Sequence, residues 1–155
     1  MSDNRLTYYH NTSAGLMEIV ADGSFLYSVK FIVEQVHPQS DSNSLIKECI
    51  SQIDEYFSGK RTEFNLPLFV SGTPFQEKIW NIIRDIAYGE TVTYSELASM
   101  ADCPGGQRAA ANACNKNCFH IIIPCHRVIG SSGKLTGYAA GLKIKNFLLE
   151  LEKRD

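Results

Sequence analysis

Residues 119–133 read FHIIIPCHRVIGSSG, and few arrangements suit three consecutive isoleucines that run into a proline and then into Cys125, His126 and Arg127. Ile121, Ile122 and Ile123 have the apolar, β-branched character of a buried strand, and Pro124 ends it, because proline donates no ladder hydrogen bond and restricts the residue before it. The expectation is a short strand that presents a thiol, an imidazole and a guanidinium at the rim of a pocket, with rigid packing behind them. An inert buried cysteine beside a surface histidine fits the same three residues. The rest of the chain has to choose.

A chain of 155 residues with 44% hydrophobic and 21% charged side chains has enough apolar material for a real core, as one domain or two small ones. It contains no apolar run of about 18 residues, and its start, MSDNRLTYYH, lacks a basic region followed by an apolar one. Neither a membrane span nor a signal peptide is expected. Cys49, Cys103, Cys114, Cys118 and Cys125 are odd in number and irregularly spaced, which suits a reducing cytoplasm better than a disulfide framework. The net charge of −2 is unevenly spread: residues 1–71 carry 5 Lys+Arg against 9 Asp+Glu, and residues 72–155 carry 10 against 8. A polyanion would favour the second half, with affinity drawn from geometry and a few placed cations more than from a broad basic face.

The first third alternates short apolar and polar runs, at 6–10, 15–23 and 25–33, and Asp22-Gly23-Ser24 makes a hairpin between the last two. In LIKECISQIDEYF, Leu45, Cys49, Ile53 and Phe57 fall on one helical stripe that stops near Ser58-Gly59. Residues 62–73 read as a linker, so the expected division is 1–71 and 72–155. Thr73 then caps a helix with Pro74 in its first turn, and Gly89 closes that run. Thr93 and Glu96 form a capping box for a second helix, ending near Met100. A Pro/Gly turn leads to QRAAANACNKN at 107–117, giving a helix-turn-helix candidate. Its second helix is thin: Ala109, Ala110, Ala111 and Ala113 surround Arg108 and Asn112. Such a helix approaches a groove closely with one arginine free to reach in, or packs tightly on a neighbouring helix; composition supports both. A glycine-rich loop over 129–141 feeds a last helix from Leu142 to about Glu152, with Leu148 and Leu151 on its packed face. Glu150 or Glu152 could orient His126 as a base for the Cys125 thiol.

The segments GTPFQEKIW at 72–80, GETVTYSELA at 89–98, QRAAANA at 107–113, NCFHIIIPCHRVIGSSGKLTGYAAGL at 117–142 and LLELE at 148–152 resemble the O6-alkylguanine-DNA alkyltransferases. The resemblance implies an α/β protein, with a small ribonuclease H-like α+β lobe and a mainly helical domain that holds the helix-turn-helix and a strand leading to the cysteine. It makes Cys125 the acceptor of an alkyl group from O6 of guanine, and of O4-alkylthymine, in one irreversible turnover without a cofactor. His126 becomes the water-mediated base, Glu152 its orienter, in preference to Glu150, and Asn117 the amide that steadies the active-site turn. Double-stranded DNA is the implied partner, met through the minor groove by a monomer. Tyr94 would crowd the phosphate of an extruded nucleotide and Arg108 would fill the vacated stack, with Ala109, Asn112 and Arg127 on the same DNA face. Val128, Tyr138 and Ala139 would line the base pocket.

Relatives commonly carry a second proline where this chain has Cys118-Phe119-His120, so the pocket rim is expected to differ. A metal held by Cys118, His120 and Cys125 would quench the nucleophile, and no structural metal is expected. Two other classes remain in view: a sensor of alkyl lesions that does not repair them, which the presence of Cys125 opposes, and a cysteine hydrolase, which would need an oxyanion hole.

Overall fold

The computed structural model describes residues 4–133 and 137–153, so Lys134, Leu135 and Thr136 of the glycine-rich loop lie outside the described residues. The backbone divides into two compact units, Met1–Val70 and Ser71–Asp155.

In the first unit, strands β1 (Leu6–Thr12), β2 (Gly15–Ala21) and β3 (Leu26–Ile32) form an antiparallel sheet in the order β1-β2-β3. The expected hairpin turn is held by Asp22, whose carboxylate accepts from Ser24 N and Phe25 N, both at 2.8 Å. Met17, Ile19 and Ala21 alternate inward along β2 and are fully buried. Helix α1 (Ser44–Phe57) is capped by Asn43, which accepts from Ile46 N at 2.8 Å. Its buried stripe is Ile46, Cys49, Ile53 and Tyr56, not the Leu45-to-Phe57 line of fixed four-residue steps. A helix of 3.6 residues per turn drifts off such a line, so alternating steps of three and four keep one face inward.

Residues 62–73 are not a free connection. Buried Gln52 accepts from Asn65 N at 2.9 Å and donates to Asn65 O at 3.0 Å, and Leu68 then bridges Leu26 in parallel.

The second unit is mainly helical: α2 (Pro74–Arg84), α3 (Tyr94–Met100), α4 (Gln107–Asn115) and α5 (Leu142–Glu152), with β4 (Val92–Thr93) parallel to β5 (Val128–Ile129). Both threonine caps are full capping boxes, Thr73 with Gln76 and Thr93 with Glu96. Helix α2 ends at Arg84, short of Gly89, yet Ile86 beyond it is still buried. Helices α3 and α4 form the helix-turn-helix, and Gly106 permits the tight entry to α4: a Cβ there would sit 2.5 Å from Cys103 Sγ. Trp80 Nε1 donates to Ala113 O at 2.8 Å, a buried tie between α2 and α4 that contributes about 1 kcal/mol. The alanines of α4 divide between the two roles that composition allowed. Ala110 and Ala113 are buried against the neighbouring helices, whereas Arg108, Ala109 and Asn112 are exposed. Among the described residues no helix is long and apolar enough to cross a membrane.

The strand expected at 121–123 is absent. Ile121, Ile122 and Ile123 are buried as anticipated, but Ile121 has a φ of 73° and Ile123 N donates to Phe119 O at 2.9 Å, which makes the segment a turn. Cys125–Arg127 form one turn of 3₁₀ helix, and the strand β5 follows the cysteine instead of leading to it.

Candidate active site

Asn117 explains why three isoleucines fold as a turn. Buried in the chain that leaves α4, it donates from Nδ2 to Ile123 O at 2.8 Å and Phe119 O at 3.3 Å, while its Oδ1 accepts from Phe119 N at 2.8 Å. One side chain thus satisfies backbone groups that a ladder would otherwise have paired. The same Nδ2 lies 3.2 Å from Cys125 Sγ.

Cys125 is 3% exposed. Burial pushes its thiol well above the ordinary cysteine value, and the adjoining Cys114 thiol adds to the rise; the Asn117 amide and the Lys145 charge pull the other way. The resting group is a neutral thiol that needs a base to become a nucleophile.

His126 and its support come from two distant stretches of chain. His126 Nε2 lies 2.6 Å from Glu152 Oε2, and Arg127 closes a fork on the same carboxylate, Nε to Oε1 at 2.8 Å and Nη2 to Oε2 at 3.0 Å. Gly89 N donates to Glu152 Oε1 at 3.2 Å from a left-handed turn with φ of 81°, a conformation that favours glycine. Burial alone would raise the Glu152 carboxyl, but the hydrogen bonds and charges of His126 and Arg127 outweigh it and hold the group well below the usual carboxylate range. Burial pushes the His126 imidazole down against the pull of Glu152, whose charge Arg127 already balances, and the Arg127 and Lys145 charges push the same way. His126 is therefore neutral near pH 7, with Nε2–H donating to Glu152. Nδ1, which has no hydrogen-bond partner among the described residues, is left able to take a proton.

Glu152, and not Glu150, meets His126; Glu150 pairs with Lys153 at 3.1 Å. Arg127 departs from expectation. Expected on a DNA face, it is 6% exposed, committed to Glu152 and donating from Nη1 to Ile86 O at 2.7 Å, so it has no guanidinium edge left for a phosphate. Val128 is fully buried in β5, and its carbonyl accepts from Lys145 Nζ at 2.6 Å. Tyr138 is half-buried, with its ring 5.6 Å from that of buried His120; Ala139 is exposed.

Sequence reasoning missed Lys145. It is fully buried, donating also to Gly137 O at 3.2 Å and lying 3.5 Å from the Tyr94 hydroxyl. Burial lowers its ammonium to about 8, against the pull of Cys114 and Cys125. The signal was present, since Lys145, Leu148 and Glu152 follow helical spacing along the packed face of α5. Tyr94, the first residue of α3, lines with Arg108, Gln107, Ala111, Gly130 and Ser131 an open cleft of about 680 Å³.

The family model of the 6-O-methylguanine DNA methyltransferase DNA-binding domain matches residues 74–154, and that of the ribonuclease-like domain of the same proteins matches residues 4–70. The chain belongs to this methyltransferase family. It is 41% identical over 145 residues to the methylated-DNA–protein-cysteine methyltransferase of Mycobacterium leprae, covering 91% of this chain and 88% of that one. It is 50% identical over 115 residues to the enzyme of the same name from Methanosarcina barkeri, covering 74% and 73%. Among solved structures, the Mycobacterium tuberculosis O6-methylguanine methyltransferase superposes with a TM-score of 0.87 at 37% identity, over 96% of this chain and 93% of the other. The Mycobacterium tuberculosis OGT in complex with DNA gives the same TM-score at 38% identity, over 95% and 92%.

Proposed function

We propose that this protein is a methylated-DNA–protein-cysteine methyltransferase that repairs O6-alkylguanine, and O4-alkylthymine, by moving the alkyl group to Cys125. The observation that carries the reading is the buried Cys125 beside a neutral His126 whose far nitrogen is fixed by the Glu152–Arg127 pair.

The reacting carbon of an alkylated base in duplex DNA lies inside the stack, so the nucleotide must be extruded. Exposed Arg108, with Ala109 and Asn112 beside it on a thin helix face, enters the minor groove and occupies the emptied stack, while Tyr94 crowds the phosphate. The base comes to rest near Val128, Tyr138 and Ala139. His126 Nδ1 takes the thiol proton through one water, and Glu152 stabilises the imidazolium without itself gaining a proton. The thiolate displaces guanine from the alkyl carbon in line, forming a C–S bond as the C–O bond breaks. The buried Lys145 charge favours both the thiolate and the negative charge that develops on the departing base. A thioether is not reversed, so each molecule acts once. Contact with phosphates and groove shape suits lesions that arise in any sequence.

The protein acts as a monomer on double-stranded DNA, and its five free cysteines support a reducing cytoplasm. Incubation with an O6-methylguanine duplex followed by peptide mass spectrometry should place one methyl group on Cys125 and none on Cys103, Cys114 or Cys118. A methyl group elsewhere with Cys125 unmodified overturns the assignment. A lesion sensor would leave every cysteine unmodified, and a hydrolase would turn over.

A further inference from the structure

Helix α4 is gripped from its inward side by an indole. It turns Ala110, Ala113 and Cys114 inward and exposes Arg108, Ala109 and Asn112. Small inward side chains let α4 lie close to α2 and α3, but they form shallow ridges that resist sliding and rotation weakly. A directional bond supplies what the packing lacks. Trp80 Nε1 donates to Ala113 O at 2.8 Å, from a side chain 5% exposed on the buried face of α2. Ala113 O also accepts from Lys116 N at 3.1 Å, so the indole grips α4 at its final turn.

The indole is itself constrained. A Cβ at Gly72 would lie 2.6 Å from both Cη2 and Cζ3 of the Trp80 ring and 2.8 Å from Gln76 Oε1, so bare backbone rests against the benzo end of the ring. Gln76, one turn before Trp80, completes with Thr73 the capping box that starts α2. The ring is thus held at its benzo end by the entrance of α2 and at its N–H by the last turn of α4.

We propose that Trp80 is a positioning residue for DNA recognition, whose bond to Ala113 O sets the register and tilt at which α4 presents Arg108 to the duplex. Arg108 stands five residues from that anchor, about 7.5 Å along the helix axis and about 140° around it, so a slip or tilt at Ala113 displaces the guanidinium. That role rests on the proposed function, in which α4 is the helix that meets DNA. The sulfur chemistry stands apart. Asn117 holds the turn that carries Cys125 through its own bonds with Phe119 N and Ile123 O, 2.8 Å each. Loss of the indole N–H should therefore weaken capture of a duplex and spare the thiol.

Trp80→Phe keeps an apolar ring and removes the donor, whereas Gly72→Ala keeps the indole and pushes it. Affinity for an undamaged duplex, read by anisotropy of labelled DNA, should fall severalfold in Trp80→Phe. Transfer from an O6-methylguanine duplex should fall with it, toward the loss of about 100-fold that a misplacement of about 1 Å can cause. The fraction of molecules that can be methylated and the rate with free O6-methylguanine base, which a loss of fold or of the active-site turn would lower, should stay near wild type. Trp80 is the single tryptophan of the chain, so its N–H gives one indole signal in the NMR spectrum of isotope-labelled protein. That proton should exchange slowly with solvent in the wild type and faster in Gly72→Ala, with duplex affinity falling alongside, which keeps the test open where Trp80→Phe folds poorly. Wild-type duplex affinity in Trp80→Phe, or in a Gly72→Ala protein whose indole proton has lost protection, overturns the proposal. Equal slowing on duplex and free base overturns it too, since Trp80 would then support the active-site turn. If the wild type takes a methyl group from neither substrate, the proposed function falls, and the undamaged-duplex affinities still decide the role of Trp80.

Discussion

Glu152 is the point on which two functions of the site converge, and substituting it separates them. Its carboxylate, with a side chain 1% exposed, receives His126, two bonds from Arg127 and the Gly89 amide. Glu152→Gln keeps the shape and one acceptor oxygen but leaves the buried Arg127 guanidinium without a counter-charge. Breaking a buried pair in this way costs about 3–5 kcal/mol. The amide also lets His126 adopt the wrong tautomer or orientation, and loss of the equivalent support for a catalytic imidazole costs up to about 10⁴-fold in rate. Adding Arg127→Met removes the stranded charge. Stability should then recover except for about 1 kcal/mol, because Ile86 O loses the donor that reaches it at 2.7 Å. Transfer should not recover, since His126 still lacks the carboxylate that fixes its tautomer and stabilises the imidazolium. Urea unfolding reads the first quantity and single-turnover methyl transfer the second, on both single variants and the double. If Arg127→Met restores transfer in the Glu152→Gln background, or Glu152→Gln is as stable as the wild type, the separation of roles is wrong.

Acid should slow transfer through His126. Its folded value lies below the ordinary 6.5, so the rate should hold as pH falls to about that value and drop only beneath it, as a pH series of single-turnover rates would show. Stability follows the same sign: above 6.5 the imidazole is neutral folded or unfolded, and below it the unfolded chain binds a proton that the folded chain resists. Glu152, also depressed, adds a further loss beginning near its ordinary 4.5, so acid unfolding should show both. Asn117→Ala should destabilise by about 1–3 kcal/mol, because it leaves Phe119 N buried without its acceptor while Ile123 O keeps the Cys125 amide, and urea unfolding would measure it. Arg108→Ala should depress repair in an intact duplex steeply, less with the lesion opposite a mismatch or in a single strand, and hardly at all with free O6-alkylguanine, where nothing need be extruded. Equal losses on all four substrates would assign Arg108 to holding the pocket together.

Where sequence reading succeeded, the governing physics was local. Thr73 and Thr93 cap their helices through residues three positions on, and Asp22 closes its hairpin through the next three residues. It failed where one side chain replaced a backbone partner. Nothing in the composition of Ile121–Ile123 says that Asn117 will satisfy the carbonyls of Phe119 and Ile123, and without that fact a strand is the reasonable expectation. Arg127 failed for a related reason. The meeting of His126 and Glu152 was anticipated, but a buried carboxylate held by one neutral imidazole remains a buried charge, and the cation that balances it is the residue that had been sent to the DNA face. Lys145 was legible in its spacing and passed over because lysine is expected at a surface.

Arg127 and Lys145 share a consequence for how the Cys125 thiol behaves at rest. Reactive cysteines in general owe their speed to a thiol held below its ordinary value by a neighbouring cation or helix end. Here the nearby cation is partly spent elsewhere. Lys145 gives hydrogen bonds to Val128 O and Gly137 O, and Arg127 gives its charge to Glu152, while burial raises Cys125. The resting thiol is consequently a poor nucleophile toward electrophiles in solution, and the base that would activate it is neutral and already oriented. Speed is therefore reserved for a substrate that enters the pocket, displaces solvent and brings its alkyl carbon to the sulfur, where proton transfer and displacement proceed together. Under the proposed mechanism, in which each molecule reacts once, this selectivity matters more than intrinsic reactivity, and it follows from burial and from where two cations are anchored.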